Sequence, residues 1–507
     1  MLDTQKAFAS LCEEFVELYM RHHPVEATRL GLHDYDDKLP DDSPDGQRAR
    51  STWLRDLEQR LVASVPWQEL PTEQRVDYAL LRSRISMLRA DLEEVRNPER
   101  NPVLYSETAL NGMYLLMARE FAPLEERKEP LLARMMAVPE YLESARATLK
   151  KVPATFMRIA SEINSFGPAY VEDITRVLVR HFPGEAERIE HASSRARVGF
   201  LQFQEYLDRE LKPASRGTFA LGERWMNYRL EREHMLPMDC NALESLGREH
   251  VIRARELLER EAKTLDPDKP WRQQIAEAGE NHPEPLRLRE AYEAELQRAR
   301  RFVESKGLVP LPAAPVEVID TPVFERAIVP CASYLPPAPF DAEQTGYLYV
   351  TPIDLGRGRD EQLQRLNGHC YGGMPLIVAH ESYPGHHVQI SAANSRGSRL
   401  RRLAENNLMS EGWATYCEEL MYEQGFFLDP ISRLFQLNDL LWRACRAVLD
   451  VTLQCGRMTE GEAADYLVTE AMLDRPMAEA EVKRYVLTPT QPMSYLVGKT
   501  LIVELRD

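Results

Sequence analysis

The stretch VAHESYPGHHVQ (378–389) places three of the chain's 12 histidines, His380, His386 and His387, within eight residues and beside Glu381. Buried imidazoles need polar partners, and neutral imidazole is the commonest metal ligand. His380-Glu381 matches the first half of a His-Glu-x-x-His zinc helix, where two histidines four apart share a face and the glutamate activates the metal-bound water. The second half departs from that pattern. Pro384 stands four residues after His380. It cannot ligate, lacks the N–H that would bond to the His380 carbonyl, and biases Tyr383 away from helical geometry. Gly385 opens backbone conformations closed to other residues. The spacing predicts a helix that kinks or breaks at 383–385 and resumes at His386. In an unbroken helix His387 lies about 20° off the face of His380 but about 10 Å further along, too far to share an ion. A two-residue bulge instead brings His386 to the second-ligand place. His386 is the preferred second ligand; His387 is the alternative, as a ligand or as a group behind the ligands.

A lone His-Glu pair is most often a satisfied core or surface pair. A second stretch, NLMSEGWATYCEEL (407–420), reads as a helix and presents Glu411 as a third ligand. Two histidines, a carboxylate and an open fourth position describe a catalytic rather than a structural site, with Zn2+ the expected cofactor. The ion would acidify a bound water and polarise a scissile carbonyl. Glu381 would take the water's proton and later pass it to the leaving amine. The oxyanion needs a further donor, and RYVLTPTQPMSYLVGK (484–499) offers Arg484, Tyr485, Gln491 and Tyr495. Arg484, Gln491 or Lys499 could hold a substrate carboxylate, which would make the enzyme a carboxypeptidase.

HESYPGHH, SEGWATYCEEL and RYVLTPTQPMSYLVGK together resemble a large bacterial family known as domain of unknown function 885, and the resemblance begins as early as GLHDYD (31–36). That family in turn resembles the helical gluzincin metallopeptidases: angiotensin-converting enzyme, carboxypeptidase Taq and the thimet-type oligopeptidases. The resemblance implies one helical body with a deep substrate channel and hydrolysis of short peptides, carboxypeptidase- or dipeptidase-like. It implies oxyanion or substrate contacts from Tyr495 and Tyr485, and an exposed edge strand at 346–351, bearing Tyr347, on which an extended peptide pairs. Competing expectations are a non-catalytic peptide-binding protein on the same scaffold, or a metal hydrolase of another amide or ester.

The elements that must position these groups are mostly helical. Apolar residues recur at helical spacing from residue 4 onward, with prolines at 123, 130, 139, 153 and 183 punctuating the helices of 105–205. Residues 213–229 break the pattern and suggest a turn and a short extended piece. Beyond 309 the chain turns proline-rich and β-branched, and GYLYV (346–350) has strand propensity. The expected fold is mainly α, one domain, with residues 1–330 forming the channel and 331–507 carrying the catalytic elements. With 507 residues, 44% hydrophobic, a large core is affordable. A net charge of −17 argues against nucleic acid as a partner. No run of 18 apolar residues suggests a membrane span, and the N-terminus reads as an amphipathic helix, not a signal peptide. Seven scattered cysteines without a CxxC pair suit a reducing compartment. The expectation is a cytoplasmic enzyme acting on short peptides, as a monomer or a homodimer. His33 reads as a loop or cap residue.

Overall fold

Caps written in the sequence start and stop many of the helices. Asp239 accepts from the Ala242 N–H and opens α1 (Cys240–Leu265). Gly307, at φ +60°, closes α2 (Leu288–Lys306). Thr459 and Glu462 form a capping box at the head of Glu460–Glu470. The computed structural model describes residues 2–322, 326, 329 and 331–507. The fold is mainly α, with one three-stranded sheet among the described residues.

Prolines stop fewer helices than the sequence suggests. Leu124–Thr148 runs through Pro130 and Pro139, and Ala154–His181 through Pro168. An interior proline costs a helix about 3 kcal/mol. Packing offsets that cost: Leu131, Met135, Val138 and Leu142 are buried, and the Pro139 backbone lies against Gly199, where an added Cβ would come within 2.9 Å of it. Residues 213–229 hold the expected turn but no strand; Glu223–Arg232 is helical.

Contacts divide the chain into two compact units. One comprises Met1–Leu221, Ala338–Ala342 and Gly397–Ala404; the other comprises Gly222–Pro337, Glu343–Arg396 and Glu405–Asp507. The longest segment of the first unit ends at Leu221. The first unit is built on a core including Phe8, Phe15, Leu57, Leu61, Ile85 and Leu403. His33 is a loop residue there, with Nδ1 2.8 Å from Asp36 and its ring stacked on Phe121.

The second unit contains every candidate site residue. Its sheet has the order β1 (Val316–Asp320), β3 (Gly346–Val350), β2 (Ala332–Leu335). β3 runs parallel to β1 and antiparallel to β2, with Leu348 opposite Val318 and Tyr334. The strand expected at 346–351 thus forms, but as the central strand and not an exposed edge. Every residue of it except Tyr347 is buried. The run GYLYV lacks polar alternation, the pattern of a strand covered on both faces. Of the two outer strands, β2 packs against α3 (Met374–Glu381).

Four further helices complete the surroundings of the site: α4 (His386–Arg396), α5 (Asn407–Glu423), α6 (Ile431–Gln454) and α8 (Ser494–Arg506), with α7 (Arg475–Leu487) between the last two in sequence. Val378 and Ala379 of α3 share one core with Leu296, Val316, Leu348 and Met421, and each fully buried aliphatic side chain of this kind contributes about 1.5–3 kcal/mol. α5 and α8 cross at two glycines: an added Cβ on Gly412 would lie 2.5 Å from Gly498 Cα, and one on Gly498 would lie 2.1 Å from the Leu408 carbonyl oxygen. Among the described residues no helix is long and apolar enough to cross a membrane.

Candidate metal centre

α3 ends at Glu381, where the Ser382 N–H bonds to the Val378 carbonyl, and α4 begins at His386. The break falls at the predicted Tyr383-Pro384-Gly385. Gly385 is required by close approach: a Cβ there would stand 1.9 Å from the His380 carbonyl oxygen and 2.4 Å from that of Ala379. Trp413 of α5 fastens the turn by donating its indole N–H to the Pro384 carbonyl at 2.9 Å. The turn folds α4 back so that the His380 and His386 rings meet edge to face, 4.8 Å between centroids.

Glu411 completes the set. Its Oε2 lies 3.6 Å from His380 Nε2 and 3.4 Å from His386 Nε2. The ligand atoms of the three residues all lie within 4.8 Å of one another. The edge of a tetrahedron with ligand bonds of about 2.1 Å is about 3.4 Å, so the spacing suits a zinc-sized ion. Side-chain exposures of 11%, 13% and 18% for His380, His386 and Glu411 leave a wetted face for a fourth ligand.

The electrostatics favour a cation here. Burial works against a charged His380, but its bonds to the Glu411 and Glu418 carboxylates prevail and hold it at about 10. Burial likewise opposes a charged Glu411, yet His380 and His386 keep it well below the usual carboxylate range.

Behind His380 stands a support that sequence reasoning missed. His380 Nδ1 lies 2.7 Å from Glu418 Oε1, which fixes Nε2 toward Glu411. Arg443 of α6 grips Glu418 with two bonds of 2.7 and 2.8 Å. Glu418 had a signal: it stands seven residues after Glu411, on the same helical face. Arg443 had none, because it belongs to a different helix. His386 Nδ1 is buried without a hydrogen-bond partner among the described residues.

His387 is turned away. Its Nδ1 meets the Tyr334 hydroxyl at 2.8 Å and its Nε2 meets the Ala314 carbonyl at 2.9 Å, so both nitrogens are engaged. His387 ties α4 to β2 and to the loop before β1. Glu381 is half-buried and makes no hydrogen bond or ion pair among the described residues. Its charge reaches His380 and Tyr334.

The tyrosines separate. Tyr495 sits one turn before Gly498, and the α5–α8 crossing brings it beside Glu411. Burial and then the Glu411 charge push its hydroxyl pKa up. Arg484 donates to Gln491 Oε1 at 2.8 Å, and the Gln491 amide then donates to the Tyr495 hydroxyl at 3.3 Å, leaving the Tyr495 proton free to point elsewhere. Arg484 and Gln491 therefore orient Tyr495. Tyr485 is fully buried and accepts from Arg446 at 3.1 Å and Trp442 at 3.3 Å, a core role. Lys499 pairs with Glu419 at 3.1 Å, about 12 Å along α5 from Glu411. Tyr347 lies on the central strand, in register with Glu317 and Leu335.

Fold and site together define a mainly helical protein with a partly buried His-His-Glu cluster flanked by a carboxylate. The chain belongs to the family described as bacterial protein of unknown function DUF885, whose match spans residues 24–507. A search of curated proteins finds no match. Among solved structures, the chain is similar to a presumed lipoprotein of unknown function from Shewanella oneidensis, with 24% identity, TM-score 0.83, covering 98% of this chain and 93% of that one. It is also similar to a presumed lipoprotein from Colwellia psychrerythraea, with 17% identity, TM-score 0.85, covering 100% and 93%. Both likenesses concern the fold.

Proposed function

We propose that the chain is a zinc-dependent hydrolase of peptide bonds in short peptides. The observation that carries the reading is the convergence of His380, His386 and Glu411 beside an unpaired Glu381. The donor set, two imidazoles and one carboxylate with an open face, is that of catalytic zinc. When bound, the ion would supply Lewis-acid polarisation and an acidified water. Glu381 accepts the proton from the attacking water and delivers it to the departing amine. Tyr495, its oxygen already occupied by Gln491, donates its proton to the oxygen that gains charge. An extended substrate pairs along β2, the outer strand beside α3, in place of the 346–351 strand. Arg446 and Arg484 both contact Glu481, at 3.2 and 2.7 Å, so two guanidinium groups share one carboxylate near Tyr495. That surplus suits a substrate's free C-terminus and supports carboxypeptidase- or dipeptidase-like cleavage, as in the gluzincins the sequence resembles. Seven free cysteines fit a reducing, cytoplasmic setting.

The test is elemental analysis combined with a peptide library. Wild type is expected to hold about one zinc per chain and to cleave short peptides. Glu381→Gln is expected to keep the metal and lose turnover. A wild type that takes up no zinc when it is supplied refutes the metal centre; zinc without hydrolysis of any peptide refutes the substrate class.

A further inference from the structure

The first unit contains a cavity of about 350 Å³, lined entirely by its own residues and by none of the metal-centre residues. That volume falls in the range of small-molecule sites. Leu88, at the end of Thr72–Arg89, lines it together with Leu92 and Leu104, each partly buried. Trp53, on Pro44–Ser64, lines it too, and its ring is fixed by stacking on Phe15 with 5.9 Å between centroids. Most of this wall is therefore apolar or aromatic.

The charged groups of the wall are not all matched. Asp42 accepts from Arg50 at 2.6 Å and from the Tyr141 hydroxyl at 2.8 Å. Glu26 accepts two bonds from Arg29, at 2.8 and 2.7 Å. Glu107, on Val103–Ala118, is different. It is partly buried and makes no hydrogen bond or ion pair among the described residues. Burial alone acts on it and pushes its pKa up. The guanidinium on the wall, Arg50, already serves Asp42. His23 also lines the cavity. Burial, then the neighbouring Arg50 charge, lowers it to about 3, so it is a neutral imidazole with a lone pair to offer. A carboxylate set among apolar side chains without a partner opposes folding, and groups that oppose folding are found where a ligand needs them.

The chemistry of the lining selects among ligands. A divalent cation takes six or more oxygens, and among the described residues the three-residue metal cluster is that of His380, His386 and Glu411. An anion would meet the Glu107 charge with no free cation to hold it. A positive head on an apolar body fits both parts of the wall. The head meets acceptors at Glu107 and His23, and the body covers the leucines and the Trp53 ring, whose face also attracts cations.

We propose that this cavity binds a small organic cation, a primary ammonium on an aliphatic or aromatic body, with Glu107 as its counter-ion. The ligand supplies the charge partner that Glu107 lacks within the fold. The lining residues all belong to the first unit and the metal cluster to the second, so the proposal stands whether or not the chain hydrolyses peptides.

The test is calorimetric titration of the full-length, zinc-free protein, with benzylammonium as the probe and benzyl alcohol as its uncharged counterpart. Wild type is expected to bind benzylammonium saturably and benzyl alcohol about tenfold more weakly or worse. Glu107→Gln keeps the side chain's shape and removes its charge. It is expected to lose about tenfold or more in benzylammonium affinity. Free of ligand, it should unfold at the same urea concentration as wild type or a higher one. The proposal is overturned if wild type shows no saturable binding, if benzyl alcohol binds as tightly, or if Glu107→Gln retains full affinity. It is equally overturned if Glu107→Gln fails to fold or unfolds at lower urea, because Glu107 would then serve the fold and not a ligand.

Discussion

Replacing Glu418 by leucine separates two jobs that one carboxylate performs. Glu418 accepts from His380 Nδ1 at 2.7 Å and also neutralises Arg443, whose side chain is 11% exposed. The first job sets the tautomer and basicity of a metal ligand, and losing such a partner typically weakens metal affinity 10–100-fold, or about 1.4–2.7 kcal/mol. The second job compensates a buried charge, and stranding Arg443 costs about 3–5 kcal/mol of folding stability. The single variant should therefore bind zinc more weakly and unfold at lower urea. The double variant Glu418→Leu/Arg443→Met removes both charges together and should recover most of the stability while leaving the zinc affinity low. Zinc affinity is measured by competition with a chelator of known constant, and stability by urea denaturation of the metal-free forms. If Glu418→Leu binds zinc as tightly as wild type, the claim that Glu418 tunes His380 is wrong. If the double variant regains affinity along with stability, the loss came from disordering and not from the ligand's second nitrogen.

Other consequences follow from the same geometry. His386→Ala should abolish zinc uptake, whereas His387→Ala should retain about one zinc per chain and lose about 1–3 kcal/mol of stability, because it orphans the partners on β2 and the loop; elemental analysis and urea midpoints distinguish the two. Gly385→Ala drives a Cβ into the His380 carbonyl, so it should destabilise by at least about 1–3 kcal/mol and depress zinc uptake, read by thermal melting and metal content. Tyr495→Phe should lower kcat by about 10²–10³ with little change in KM, and Gln491→Leu should lower it less; equal effects on a pure binding constant would count against a hydroxyl that acts in the transition state. For His33, burial opposes the charge, but hydrogen bonds to Asp341 and Asp36 prevail and raise it to about 9. Its stabilisation is complete below the unfolded value near 6.5 and is lost as pH rises through about 9. The gap in urea midpoint between wild type and His33→Gln should accordingly narrow from pH 6.5 to 10; a constant gap would show that His33 does not titrate there.

Much of this was legible from local chemistry. The break at Tyr383-Pro384-Gly385 follows from a proline that cannot bond to the His380 carbonyl and a glycine that packs directly against that carbonyl, and it removes His387 from the first face and returns His386 to it. The caps at Asp239, Gly307 and Thr459 are set by side chains within a few residues of the backbone groups they satisfy. Where the reading went astray, long-range packing had overruled a local preference. Pro130 and Pro139 do not end their helix because buried Met135 and Val138 hold it. GYLYV was read as an edge, yet strand order is decided by partners at 316–320 and 332–335, and propensity carries no record of them.

The sequence by itself determined that this is a mainly helical chain with two histidines and a glutamate of the right kinds to hold an ion, because helix periodicity, caps and ligand chemistry are properties of residues and their near neighbours. Only the tertiary structure decided which histidine faces Glu411, that Arg443 and Glu418 stand behind His380, and that Tyr495 and not Tyr485 lies beside the cluster. Each of those depends on helices from distant parts of the chain crossing at a particular point, such as Gly412 against Gly498, and a crossing is fixed by the packing of whole surfaces rather than by the spacing of residues along one strand of sequence.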